Sequence, residues 1–281
     1  MNNLLLVSVI TPVYNASRFL SRLIECVQEQ CGVNYEHIIV DDCSTDDSLA
    51  VLMRLAAGDE RIKVIQFQNN LGVVEARNAA ISHAKGRYLA FLDADDLWLP
   101  AKLQIQLDFM QETGAALTFT DYRFISEDGS KIGRLLRGPN RIGWSLHHMT
   151  RYLGCLTIMV DRDKCPDFSF GDVSSVYRAE DFLAWSKIVF RHGPALRCPH
   201  DLARYSVVQN SRSSSGSAAA ASVWRLYRRV EKIALWQSLM FFSLYVILAS
   251  WKRWWCRPCY SGEIIDGKTF AKSYLLQDRD D

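Results

Sequence analysis

Short apolar runs alternate with helically spaced apolar positions along the first half of the chain. Residues 4–11 form a largely apolar run closing on Thr11-Pro12, the pattern of a buried strand. Phe19, Leu20, Leu23, Ile24 and Val27 then recur at helical spacing. Residues 35–40 predict a second strand ending in Asp41-Asp42, and Ser44-Thr45-Asp46-Asp47 supplies N-cap side chains for a helix through Leu49, Leu52, Met53 and Leu55. Residues 62–67 read as a third strand and Asn70-Leu71-Gly72 as a turn. Val73, Val74, Ala80, Ile81 and Ala84 mark one face of the next helix. Residues 87–92 predict a fourth strand that ends in Asp93-Ala94-Asp95-Asp96, with a further helix opening near Pro100.

This βαβα order predicts an α/β fold with a mainly parallel central sheet. Ligands of such sheets bind outside the carboxyl ends of the strands. Here those ends carry Thr11-Pro12, Asp41-Asp42, the Asn70–Gly72 turn and the acidic cluster, so polar groups collect along one edge of an apolar sheet. The second half is less regular. Residues 117–125 and 156–160 read as strands, with a turn at Glu127-Asp128-Gly129. Residues 179–192 predict a helix with Phe182, Trp185, Ile188 and Val189 on one face, stopped by His192-Gly193. A Ser-rich linker at 211–217 precedes a long helical stretch over 223–255, and the expected division is 1–215 and 216–281. No internal repeat is present.

Composition narrows the classes. The 281 residues are 49% apolar and 23% charged, values that exclude disorder over most of the chain. A net charge of +2 argues against nucleic acid as a partner, since such binders carry a strong basic excess. Eight scattered cysteines do not form a disulfide framework, and the N-terminal apolar run is too short for a secretory signal. The expectation is a protein kept in the reducing cytosol. G-x-G-x-x-G, G-x-x-x-x-G-K-[ST] and G-x-S-x-G are absent. Cys256-Arg257-Pro258-Cys259 is a lone C-x-x-C outside any early strand, a weak sign of redox or zinc chemistry. His147-His148 read as core or surface residues.

Asp93, Asp95 and Asp96 fall within four positions. Carboxylates this close repel unless a cation neutralises them, and hard ions such as Mg²⁺ or Mn²⁺ take carboxylate together with phosphate oxygens. Helix capping would use only one acid, whereas a metal–diphosphate site accounts for all three. Asp41-Asp42 would serve a base or ribose, though taken alone the pair fits a turn and helix start better. Arg77 would reach a phosphate as a bidentate donor, or pair with an acid on its own surface. Glu180-Asp181 suit a first helical turn, and a carboxylate there would also act as general base on a hydroxyl.

In this order the pieces resemble a family 2 glycosyltransferase of the GT-A fold. The matching residues are Val7-Ser8-Val9-Ile10-Thr11-Pro12-Val13-Tyr14-Asn15, Ile39-Val40-Asp41-Asp42-Cys43-Ser44-Thr45-Asp46, Asn70-Leu71-Gly72, Ala76-Arg77-Asn78 and Phe91-Leu92-Asp93-Ala94-Asp95-Asp96, with Glu180-Asp181 as the late acidic pair. Thr120-Asp121-Tyr122-Arg123-Phe124-Ile125 and Gly154-Cys155-Leu156-Thr157 are similar to enzymes that build bacterial O-antigen, capsule or teichuronic-type polysaccharides. The resemblance implies that Thr11, Pro12 and Tyr14 line the nucleobase pocket and that Asp41 or Asp42 contacts base or ribose. It places Arg77 near the diphosphate, Asp93 toward the ribose, and Asp95 and Asp96 on Mn²⁺ or Mg²⁺. Asp181 matches the base of inverting members. The implied donor is a nucleotide-sugar, a UDP-sugar first, and the implied acceptor a lipid-linked oligosaccharide at the cytoplasmic face of the inner membrane. One stretch departs from the family pattern: Tyr205-Ser206-Val207-Val208 lacks the Arg and His of many relatives, with Arg212 as a stand-in. That departure motivates a rival reading, a weakly catalytic membrane-associated scaffold. A nucleotidyltransferase on a similar sheet is a second rival.

Residues 233–251 are uncharged and flanked by Arg225, Arg228, Arg229 and Lys232 before and Lys252, Arg253 and Arg257 after. Gln237, Ser238, Ser243 and Ser250 dilute the run, and Trp236, Tyr245, Trp251, Trp254 and Trp255 suit a headgroup interface. The expectation is a C-terminal helical, membrane-proximal segment docked on anionic lipid. Packing on the chain's own domain and spanning the bilayer are the alternatives.

Overall fold

The structure, a computed structural model, describes residues 6–150, 152–171, 179–208, 216–256 and 260–261. β1 (Leu6–Val13), β2 (Asn34–Asp41), β3 (Ile62–Gln66) and β4 (Tyr88–Phe91) run parallel in the order β3-β2-β1-β4. β1 and β4 are covered on both faces, which is why they read as apolar runs without alternation. Successive side chains point to opposite faces. Val7, Val9 and Ile39 pack with α1 (Leu20–Gln28) and α2 (Ser48–Ala56). Ile10, Ile38 and Val40 pack with α3 (Val73–His83). The capping run before α2 works partly as expected: Asp46 accepts the Ser48 amide at 3.0 Å, while Asp47 at the cap position makes no side-chain cap.

Beyond β4 the sheet turns antiparallel. β9 (Ile158–Asp161) pairs with β4 and with β6 (Leu117–Ser126), and β7 (Lys131–Leu136) pairs with the far half of β6. Residues 155–157 form a 3-10 turn, so the strand expected over 156–160 starts later and is shorter. The 13-residue β10 (Ala195–Val207) lies parallel to β6, and the short β5 (Leu97–Trp98) and β8 (Arg141–Ile142) add to it. The pattern conceals β10, because Pro199, His200 and Asp201 interrupt its alternation where the ladder shifts register between Cys198 and Ala203. The remaining elements are α4 (Lys102–Thr113), α5 (Trp144–Met149), α6 (Glu180–His192) and β11 (Tyr260–Ser261). Gly193 ends α6 with φ +94°, a left-handed conformation that favours glycine.

The stretch 223–255 is not one helix. α7 (Gly216–Arg225) passes into a π-turn over Leu226–Val230, and α8 (Leu235–Trp255) starts afresh. Lys232 adopts φ +52°, which no helix continues through, and the Ile233 amide turns back to the Tyr227 carbonyl at 2.9 Å. No Gly or Pro marks this break in the sequence. Val223, Leu226, Tyr227, Ile233, Phe241 and Tyr245 pack against Ala179, Phe182 and Leu183 at the start of α6. Among the described residues no helix is long and apolar enough to cross a membrane. The Ser-rich stretch before α7, Arg212, and Arg257 to Cys259 lie outside the described residues.

Candidate active site

The carboxyl ends of β1, β2 and β4 converge as the topology requires. Thr11 and Pro12 are buried in β1, and the Thr11 hydroxyl is committed to His37 Nε2 at 2.9 Å. Tyr14, one residue past the strand, is half exposed. The two acids after β2 have different jobs. Both oxygens of Asp42 accept backbone amides, from Leu71 at 2.7 Å and Gly72 at 2.9 Å. Asp42 thus holds the turn that launches α3, where Gly72 sits at φ +93°. Asp41 accepts the Ser44 amide through Oδ2 at 3.1 Å, and its buried Oδ1 has no hydrogen-bond partner. Of the pair, Asp41 keeps an acceptor atom in reserve at the strand end.

Arg77 is buried on α3 and donates to Asp93 Oδ1 at 2.5 Å, with its guanidinium 5.1 Å from the centre of the Phe170 ring. Burial pushes its pKa down, but Asp93 and Asp181 outweigh that and hold it above the ordinary range. The neighbouring acids move the other way. Burial and Asp93 push Asp95 up to about 6, and burial with Asp95 and Asp93 raises Asp96 well above the usual carboxylate range. Asp96 is fixed by the Ser206 amide at 2.8 Å, and the Ser206 hydroxyl donates to the Asp95 carbonyl. The Tyr205-Ser206 stretch that departs from the family pattern therefore braces the acidic loop from β10.

Asp181 lies in the first turn of α6 and lines a small cavity with His147, Leu153, Phe182, Val223 and Tyr245. Its neighbour Glu180 is 8% exposed and buried beneath the helix start. The charges of Arg77, Asp93, Asp181 and Asp96 all act on the buried Cys155 thiol, so the groups after β4 and at the head of α6 share one locality. The sequence assigns no role of their own to Cys155 and Ser206, reads His147 as core or surface, and sets Tyr245 at a headgroup interface; Tyr245 is instead buried against the start of α6. Cys155 carries a signal only as part of the Gly154–Thr157 stretch, and the aromatic pattern misplaces Tyr245 because which face of α8 is buried depends on how the helix packs.

Among the described residues no group of three or more His, Cys, Asp or Glu side chains forms a cage for a metal ion. The acids nevertheless suit a hard cation with other ligands available. They are oxygen donors, they sit in a poorly solvated loop, and their mutual repulsion is the cost that a divalent ion would remove.

The profile of glycosyl transferase family 2 matches residues 8–178. The chain is 36% identical over 248 residues to a Bacillus subtilis protein named as a teichuronic acid biosynthesis glycosyltransferase, TuaG, covering 88% of this chain and 97% of that one. It is 32% identical over 211 residues to WfgD of Escherichia coli, a UDP-Glc:alpha-D-GlcNAc-diphosphoundecaprenol beta-1,3-glucosyltransferase, covering 75% and 80% of the two chains. Among solved structures, S. aureus TarS (residues 1–349) in complex with UDP-GlcNAc superposes with a TM-score of 0.63 at 19% identity, over 89% of this chain and 73% of that one. The mannosyltransferase PcManGT of Pyrobaculum calidifontis, with GDP-Man and Mn²⁺, gives 0.62 at 16% identity, over 96% and 79%. The fold is thus of the GT-A type. The chain belongs to glycosyl transferase family 2 and is a glycosyltransferase.

Proposed function

We propose that this enzyme is an inverting hexosyl- or N-acetylhexosaminyltransferase. It moves a sugar from a UDP-sugar to a growing lipid-linked cell-surface polysaccharide at the cytoplasmic face of the inner membrane. The observation that carries the reading is the convergence of Asp93, Asp96 and Asp181 on the buried Arg77, with Asp95 beside Asp96. The likeness to TuaG and WfgD supports a bacterial polysaccharide as product, and the diphosphoundecaprenol in WfgD's name supports a lipid-linked acceptor.

In this reading Tyr14 and the strand ends beside Thr11 and Pro12 hold the base. The spare oxygen of Asp41 accepts from base or ribose, while Asp42 shapes the loop. Asp93 serves the ribose and steers Arg77 toward the diphosphate. Asp95 and Asp96 would hold Mn²⁺ or Mg²⁺, which when bound stabilises negative charge on the leaving nucleoside diphosphate. Asp181 takes the proton from the acceptor hydroxyl as that oxygen bonds to the anomeric carbon. The bond from the anomeric carbon to the diphosphate oxygen breaks, and its electron pair leaves on UDP. Asp181 is favoured over Glu180 because it faces the cavity.

Two rivals are separable in one assay. With UDP-sugars, acceptor and Mn²⁺, the transferase releases UDP. A nucleotidyltransferase acting on the same donor moves the uridylyl group and releases the sugar 1-phosphate, and a non-catalytic scaffold releases neither. Sugar 1-phosphate in place of UDP, or no UDP across a panel of UDP-hexoses and UDP-N-acetylhexosamines, would overturn the proposal.

A further inference from the structure

The outward face of α8 is unusual for a helix in water. From Ile233 to Trp251 the chain has no charged residue. Helical spacing puts Trp236, Met240, Ile247, Trp251 and Trp254 on one side, and they are exposed. Trp236, Ile247 and Trp254 are 66%, 62% and 71% exposed. The opposite side is buried: Ser238, Phe241 and Tyr245 pack on α5, α6 and α7. An apolar stripe about 27 Å long along a 21-residue helix is more than scattered surface hydrophobics explain.

The flanks say what covers it. Arg225, Arg228, Arg229 and Lys232 are exposed before α8, while Lys252 near its far end turns inward over the Tyr122 and Tyr152 rings. A second copy of the chain laid parallel on this face would set the cationic cluster against its twin, and an antiparallel copy would set it against the aromatic far end of α8. An anionic lipid surface complements the cluster and takes up the apolar stripe together. Tryptophans at the two ends suit the headgroup level, and no described helix is able to span a bilayer.

We propose that the outward face of α8 docks flat on an anionic bilayer. Tyr245, on the inward face, lines the Asp181 cavity. Docking therefore sets that cavity one helix thickness, about 10 Å, from the lipid headgroups. The proposal rests on the transferase reading for the identity of the acceptor and on the exposed face for the docking itself.

The test uses the full chain with vesicles of phosphatidylglycerol and phosphatidylcholine in about equal parts, beside phosphatidylcholine alone. The wild type is expected to sediment with the anionic vesicles, to be released by high salt, and to show tryptophan quenching by brominated lipid. Trp236→Ser, Ile247→Ser and Trp254→Ser combined should cut partitioning by a factor on the order of a hundred. The same variant should lose transfer to a lipid-linked acceptor in vesicles while keeping acceptor-free UDP release. Wild-type protein left in the supernatant without quenching overturns the proposal. So does a concentration-dependent dimer that these substitutions abolish. Failure of docking with UDP release intact leaves the transferase reading standing; docking without any UDP release sinks that reading and leaves the docking face.

Discussion

At the carboxyl edge of β1, β2 and β4, each candidate donor-side residue lies within a few positions of a strand end, except Arg77 on α3, the helix after β3. The cavity around Asp181 is assembled otherwise. Its walls come from α5, α6, α7 and α8, so that His147, Asp181, Val223 and Tyr245 meet across long sequence separations. The first region is a run of local motifs hung on a parallel sheet. The second is a packing arrangement in which the C-terminal helices are structural partners of the helix that bears the proposed base. An element that serves attachment alone would not share a core with Phe182 and Leu183. Donor binding and acceptor handling should therefore respond to different substitutions.

The largest effect should come where the two regions meet. Asp181→Asn is expected to lower turnover about a hundredfold or more while leaving UDP affinity near that of the wild type, because a base acts in the transition state. Steady-state kinetics beside calorimetry would check it. Near-normal transfer would move the base elsewhere, with Glu180 the next candidate. On the donor side, Asp95→Ala and Asp96→Ala should abolish the metal-dependent part of UDP binding. With Asp95 at about 6, metal affinity should fall as pH drops through that value, since protons and cation compete for the same oxygens.

The helical region offers the converse experiment. Glu231, just past the π-turn, accepts the Ser186 hydroxyl of α6 at 2.5 Å and pairs with buried His148 of α5. Glu231→Ala should destabilise the protein by about 2 kcal/mol and lower Tm by about 5 °C, with UDP affinity unchanged. Equal loss of UDP affinity would break the separation between the two regions.

A smaller effect is expected at Lys102, buried on α4 with its ammonium 3.8 Å from the Trp98 ring centre and no hydrogen-bond partner. Burial pushes its pKa down to about 7. Between that value and the ordinary lysine range the unfolded chain holds the proton and the folded chain does not, so stability from this group rises with pH across that window. Lys102→Met should add about 1 kcal/mol at neutral pH and flatten the rise, as thermal melts from pH 7 to 10 would report.

The contrast between the regions also explains what the sequence revealed. The four parallel strands and their helices were legible because burial on both faces writes apolar runs, and strand ends write polar punctuation. The acids at 93–96 stood out because close carboxylates need a reason. The distinction between Asp41 and Asp42 was not legible, since it depends on which oxygens meet the Leu71 and Gly72 amides from another loop. β10 stayed hidden because its register shifts fall on Pro199 and Asp201, and its partner β6 lies about eighty residues away. The break between α7 and α8 rests on a left-handed Lys232, a conformation that tertiary packing imposes and composition does not announce.

The central claim is that Asp181 drives direct displacement at the anomeric carbon by the acceptor oxygen. Nuclear magnetic resonance of the glycosylated product tests it most directly. UDP-hexoses such as UDP-glucose carry the sugar in the α configuration, so one in-line displacement predicts a β-linked product throughout the time course. An α-linked product would contradict the account, because retention requires a different mechanism.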